Sequence, residues 1–185
     1  MLTPWLAINL SARSTEHPGL AFHLIDAVRR GDFGPEKLKV ELTEQAFVDV
    51  DPAVESALRQ LISAGIGVGI DDFGSGHSAL SNLQSYSFDF MKIDRSFVAP
   101  VGEDSRADAV VTAIVDLAHA HGMRVVAEGV ESGRQARRLR EIGCDYARGT
   151  ISAGPGRPPG SSVDSRITLR PAGRSHTLFT WAIDA

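Results

Sequence analysis

Five short apolar segments, each ending in a polar or acidic group, recur along the chain and leave few architectures open to it. The first is Trp5-Leu6-Ala7-Ile8-Asn9. The second, Leu38-Lys39-Val40-Glu41, runs on into Leu42-Thr43-Glu44. The third covers residues 66–71 and ends at Asp71, the fourth covers 88–94 and ends at Asp94, and the fifth is Arg124-Val125-Val126-Ala127-Glu128. A weaker sixth lies over 144–151. Between them, apolar residues recur at helical spacing. Residues 18–30 carry Leu20, Leu24, Ala27 and Val28, and residues 52–63 carry Val54, Leu58, Leu61 and Ile62. Residues 105–121 carry Ala109, Val110, Ala113, Ile114, Leu117 and Ala118, and a last helix is predicted over 132–142. Asp51-Pro52 reads as a helix start and Gly122 as a helix stop. Arg134, Arg137, Arg138 and Arg140 read as a solvated face.

Strand then helix, repeated, with strands too apolar for one-sided burial, means a parallel sheet covered by helices. A doubly wound sheet gathers its function at one crevice. A (β/α) barrel instead carries chemistry at successive strand ends, and five such ends favour the barrel. A complete barrel takes roughly 200–250 residues and eight strands; the 185 residues supply six. The expected fold is α/β, an incomplete modified TIM (β/α) barrel with about six of eight strands, mostly parallel. It is expected to occupy residues 1–151. Residues 152–185 are Gly/Pro/Ser-rich and without period, and read as a divergent, disordered tail with one short strand over 176–183.

With 43% hydrophobic and 23% charged residues, the composition is that of an ordinary globular protein. A net charge of -4 and a pI near 5.8 argue against a nucleic-acid polymer as partner. The single cysteine, Cys144, excludes an internal disulfide framework and fits a reducing cytoplasm. The N-terminal residues lack the pattern of a signal peptide, and no window is long and apolar enough to span a membrane.

The polar strand ends gather Asn9, Glu41, Glu44, Asp71, Asp72, Lys92, Asp94, Glu128 and Glu131 at one mouth. Asp71 and Asp72 are adjacent. Two like charges about 4 Å apart repel by roughly 4 kcal/mol at an effective dielectric near 20, so a cation sits between them or one is protonated. Hard oxygen ligands at this density suit Mg²⁺ or Mn²⁺, not zinc. His119 and His121 flank a helix end and read as structural or exposed. Gly74 and Gly76 let the chain turn so that both aspartates serve one centre. Lys92 and Asp94, two apart on a strand, share a face at roughly 6–7 Å. A carboxylate bridging two cations about 3.5–4 Å apart serves in-line displacement at phosphorus. Asp49, Asp51 and Asp104 read as surface caps. Glu44 and Glu131, each three residues past a stronger candidate, read as caps or loop anchors.

Asn9-Leu10-Ser11, Glu41-Leu42-Thr43-Glu44, Asp71-Asp72-Phe73-Gly74-Ser75-Gly76, Lys92-Ile93-Asp94 and Glu128-Gly129-Val130-Glu131 occur in this order. Together they resemble the EAL-domain family, bacterial phosphodiesterases that open cyclic di-GMP to linear pGpG. The resemblance implies a modified TIM barrel using Mg²⁺ or Mn²⁺. Asn9, Glu41 and Asp71 are then expected to hold a first metal, with Asp71 bridging to a second held by Asp72 and Glu128. Lys92 is expected to orient or activate water with Asp94 in support. Glu44 is expected to anchor the loop of residues 72–77, which couples the site to a homodimer formed through the region after Asp72. Glu131 is expected to brace the far wall.

Two departures stand out. The Glu-Ala-Leu signature is absent, and the resemblance places it upstream with two further strands, its Glu a ligand of the first metal. Arg148 stands where Gln is expected and Thr150 where Tyr is, and the motifs end at Gly149. The competing readings are a catalytically inactive module that binds cyclic di-GMP or a protein, and a divalent-metal barrel enzyme of another class. The 185-residue chain is expected to hydrolyse cyclic di-GMP very slowly or not at all. Chromatography of pGpG checks this: extension upstream through a Glu-Ala-Leu strand restores turnover, and Lys92→Ala in the extended chain abolishes it.

Overall fold

In the computed structural model the described residues are 6–150, apart from 12–13, 15–16, 18, 32–33, 45, 47–51, 75–82 and 84–85. The expected tail of 152–185, its strand over 176–183, the Asp51 cap and Gly76 lie outside them. The elements follow in the order β1 (Leu6–Leu10), α1 (Leu20–Arg30), a 3₁₀ turn (Pro35–Lys37), β2 (Leu38–Thr43), α2 (Pro52–Ser63), β3 (Gly67–Phe73) and β4 (Phe90–Ile93). Then come α3 (Arg95–Val98), α4 (Ser105–Ala120), β5 (Arg124–Ala127), α5 (Gly133–Ile142) and β6 (Tyr146–Ala147).

The six strands are all parallel and lie in chain order, β1-β2-β3-β4-β5-β6. A doubly wound sheet reverses its order at a switch point; this sheet never does. It is wound in one direction, as a (β/α) barrel is, and among the described residues it remains an open sheet.

The two faces of the sheet differ in chemistry. Val40, Leu42, Val68, Ile70, Met91, Ile93, Val125 and Ala127 alternate along four strands, and all are buried. Because successive strand side chains point to opposite faces, these form one apolar face, against which α2 packs at β3 and α4 packs at β5. The intervening positions are Lys39, Glu41 and Thr43 on β2, Gly67, Gly69 and Asp71 on β3, Phe90 and Lys92 on β4, and Arg124 and Val126 on β5. Most of that second face is polar or glycine. Both faces are nonetheless largely buried over β2, β3 and β4, as strand apolarity implies, with Glu41, Gly67, Gly69, Phe90 and Lys92 all buried on the second.

The α2 and α4 faces differ in how well spacing anticipates them. Val54, Leu58 and Leu61 of α2 are buried as the spacing implies. On α4 the buried set is Val111, Ile114, Val115 and Ala118, whereas Val110 is exposed. Residues 109–118 are apolar round most of the helix, so periodicity does not choose the face and packing on β5 does. Asp104 caps α4 by accepting from Arg106 N–H at 2.8 Å. Of the arginines read as solvated, Arg138 ties α5 to Asp108 of α4 at 2.7 Å, and Arg134 pairs with Glu103.

Gly69 lies in register with Glu41 on one side and Phe90 on the other. A Cβ on Gly69 would stand 2.2 Å from the Phe90 ring. The ring thus crosses the glycine directly below Lys92, which is two residues further along the same face. Gly69→Ala is expected to destabilise by about 1–3 kcal/mol through overpacking, and Phe90→Leu in the same chain to recover part of the loss. Urea denaturation of the three variants checks both.

Candidate functional site

The strand ends place their polar groups on one rim. Asn9 on β1 is in register with Glu41 on β2, and Thr43 on β2 with Asp71 on β3. Lys92 sits near the end of β4, and Glu128 follows the end of β5. Lys92 is the hub. Its Nζ lies 2.7 Å from Asp71 Oδ1, 2.9 Å from Glu41 Oε2 and 3.1 Å from Glu128 Oε1. Three carboxylates at three strand ends thus share one ammonium, in a pocket where Lys92 is 7% and Glu41 3% exposed.

Burial by itself pulls the Lys92 pKa down, but the charges of Glu41 and Glu128 and the Asp71 hydrogen bond outweigh it and hold the ammonium above its ordinary value. Among these three acids Lys92 is therefore held as a cation. Burial pushes the Glu41 carboxyl up, against the pull of Lys92, with Asp71 and Glu128 adding to the rise. Asp72 is also raised, by burial first and then by Asp71 and Asp94.

Asp71 and Asp72 are brought to one centre within β3 itself, just before the turn at Gly74. β3 continues through both to Phe73, but its register with β4 shifts between Ile70 and Phe73. Asp72 itself takes φ 53, the left-handed region that non-glycine residues seldom occupy. Its N–H donates to Asp71 Oδ1 at 3.0 Å. A bulge of this kind re-aims a side chain, and here it brings Asp72 beside Asp71. Past the bulge, Gly74 has φ 97 and donates its N–H to Glu44 Oε2 at 2.9 Å.

Carboxylate oxygens of Asp71, Asp72 and Glu128 lie within 4.8 Å of one another. Glu128 Oε1 is buried and makes no hydrogen bond, although Lys92 Nζ is 3.1 Å away. An all-oxygen donor set of three neighbouring carboxylates fits a hard divalent cation.

Other expected site residues are placed differently. β4 ends at Ile93, so Asp94 lies past the strand and not on a shared strand face with Lys92. It caps α3, accepting from Ser96 N–H at 2.9 Å, and the bonds from Ser96 hold its carboxyl below the usual range. Glu131 forms an exposed ion pair with Arg95 at 2.7 Å. His119 pairs with Asp145 at 2.9 Å, a contact at the opposite end of β5. Strand-end spacing does not point to Arg95, whose side chain crosses Gly129, or to the nearness of Arg148 to Glu128. Arg148 does follow β6 as the other polar groups follow their strands, and that position is its one signal in the sequence.

A singly wound parallel sheet with an acidic rim at its strand ends defines a (β/α) barrel-type domain. The EAL-domain family profile matches residues 2–155, and the chain belongs to the EAL-domain family. It is 39% identical over 175 residues to an uncharacterised protein of Azorhizobium caulinodans, covering 93% of this chain and 23% of that protein. It is 37% identical over 150 residues to the cyclic di-GMP phosphodiesterase RocR of Pseudomonas aeruginosa, covering 81% of this chain and 35% of RocR. The solved structure of Klebsiella pneumoniae BlrP1 with manganese and cyclic di-GMP superposes with a TM-score of 0.73 at 32% identity, covering 78% of this chain and 37% of BlrP1. The chain spans about a third or less of the curated relatives' length. Likeness to the family does not stop at Gly149, as the motifs implied, since the profile runs to residue 155. No helix among the described residues is long and apolar enough to cross a membrane.

Lys92 stabilises the metal-free fold with a definite pH dependence. Its folded pKa lies above the ordinary 10.5, so its contribution is complete below that value and is lost as pH rises through the raised one. Glu41 and Asp72, also raised, act in the same pH direction: their ionised forms cost stability, and acidification towards their raised pKa values relieves the cost. Lys92→Met should cost about 3–5 kcal/mol at pH 7 by stranding three carboxylates. Urea titrations across pH check it: the variant gains stability as pH falls below 7 and lacks the alkaline loss of the parent.

Proposed function

We propose that this chain is part of the catalytic domain of a cyclic di-GMP phosphodiesterase, an enzyme that opens the cyclic dinucleotide to linear pGpG, and that by itself it is weak or inactive. The observation that carries the proposal is the convergence of Glu41, Asp71 and Glu128 on Lys92, with Asp72 re-aimed beside them. Family membership and the ligands of BlrP1 support it. Residues 1–151 form the barrel unit in this proposal, and 152–185 are a separate tail.

Asn9, Glu41 and Asp71 would hold one divalent cation, and Asp71, Asp72 and Glu128 a second, with Mg²⁺ or Mn²⁺ the ions their hard oxygens suit. When bound, the cations supply charge that stabilises the transferring phosphate and acidify water. Hydrolysis delivers the water oxygen to phosphorus and breaks one P–O3′ bond, and a proton goes to the departing 3′ oxygen. Lys92, held protonated, orients the water and the phosphate through its N–H donors. Asp94 supports Lys92 indirectly by starting α3 at the end of the same strand. Glu44, through Gly74, holds the first turn of the loop of residues 72–77, and with it the surface through which a homodimer would form. Glu131, paired with Arg95, braces the wall beyond Glu128. The single cysteine fits a cytoplasmic setting.

Calorimetric titration with Mn²⁺ tests the proposal. The chain is expected to bind Mn²⁺, and Asp71→Ala with Asp72→Ala to lose that binding; equal binding by the double variant overturns it. Chromatography of pGpG in the presence of Mn²⁺ reads turnover. Cyclic di-GMP binding with no turnover, even after upstream extension, favours the ligand-binding module instead.

A further inference from the structure

Arg148 is anchored beside Glu128 by the backbone on both sides of that residue. Its N–H donates to Ala127 C=O at 2.8 Å, and its C=O accepts from Val130 N–H at 3.0 Å. The following residue has no freedom either: a Cβ on Gly149 would stand 1.9 Å from the Val130 carbonyl oxygen. The Arg148 side chain therefore starts from a fixed point next to Glu128. Its Nη1 lies 3.9 Å from Glu128 Oε1, the buried oxygen that makes no hydrogen bond. The Arg148 side chain is 42% exposed, so it meets solvent while its backbone is held on both sides. Thr150, the second departure from the motif, has no comparable contact with the cluster among the described residues.

We infer that Arg148 is a built-in competitor for the second cation: it shares Glu128 with the metal and sets a weak divalent affinity at the Asp71, Asp72 and Glu128 cluster. The inference rests on the metal-binding role proposed above. A guanidinium and a divalent cation that share one carboxylate repel, and at a dielectric close to that of water the repulsion is on the order of a tenfold loss of affinity. A guanidinium cannot lose its proton in the accessible pH range, so the penalty is permanent. Its effect falls with ionic strength, because the group is half exposed. Arg148 acts through Glu128 and is a positioning residue.

Mn²⁺ affinity of the full 185-residue chain, measured by calorimetry at low and high salt, tests the inference. Arg148→Gln is expected to bind Mn²⁺ about tenfold more tightly at low salt, with the gain shrinking at high salt. Arg148→Lys, which keeps the charge, is expected to stay near the parent affinity. Arg148→Met serves as a second neutral variant if the glutamine variant does not fold, and thermal melting of the metal-free proteins identifies that case. Binding by parent and neutral variants with equal affinity overturns this inference and leaves the metal site standing. Binding by none of them overturns the metal site and this inference together. A gain insensitive to salt, or shared by Arg148→Lys, marks a packing effect and overturns the charge competition.

Discussion

The site depends on one ammonium group. Glu41 and Asp71 come from two strands and Glu128 from just past the end of a third, and without a cation they would repel across a space of a few ångströms. Lys92 lies between them on the fourth strand, buried well enough that its charge is little screened. The acids in turn keep it protonated, so each side fixes the charge of the other. The cost of removing these groups from water is offset only while all of them are present. The same arrangement that suits metal binding thus sets the register of β2, β3 and β5 at their ends.

Around this hub, backbone irregularity does what strand geometry alone cannot. A regular strand sends Asp71 and Asp72 to opposite faces. The register shift and the left-handed Asp72 overcome that rule at one residue. Strain of this sort persists where neighbours over-determine it. Here the neighbours are the Asp72 N–H bond to Asp71 and the Gly74 bond to Glu44. Glu44, buried though charged, links the end of β2 to the turn after β3.

The helix-covered face and the rim are legible from sequence for different reasons. Strand and helix existence follows from period, and the predicted α2 and α5 agree with the structure to within a residue or so. The α4 face is not legible, since a helix apolar on most sides lets packing choose. Spacing misplaces Asp94 because it cannot tell the last residue of a strand from the cap of the next helix. The bond to Ser96 decides that, and such a bond depends on a turn that period-two reasoning does not contain. The Arg148 pairing is hidden for a like reason: the polar strand-end pattern includes the residue, but its distance to Glu128 depends on β5 and β6 being neighbours.

The order of acidic strand ends, the singly wound α/β character and the oxygen-ligand chemistry were determined by the sequence by itself. All three are properties of residue type and spacing along one chain. Tertiary structure alone decided which acids share Lys92, that Asp72 turns inward through a bulge, and that Arg148 stands against Glu128. Those facts are distances between strands, which depend on inter-strand register and on backbone dihedrals at single residues. No periodicity within a segment encodes either quantity.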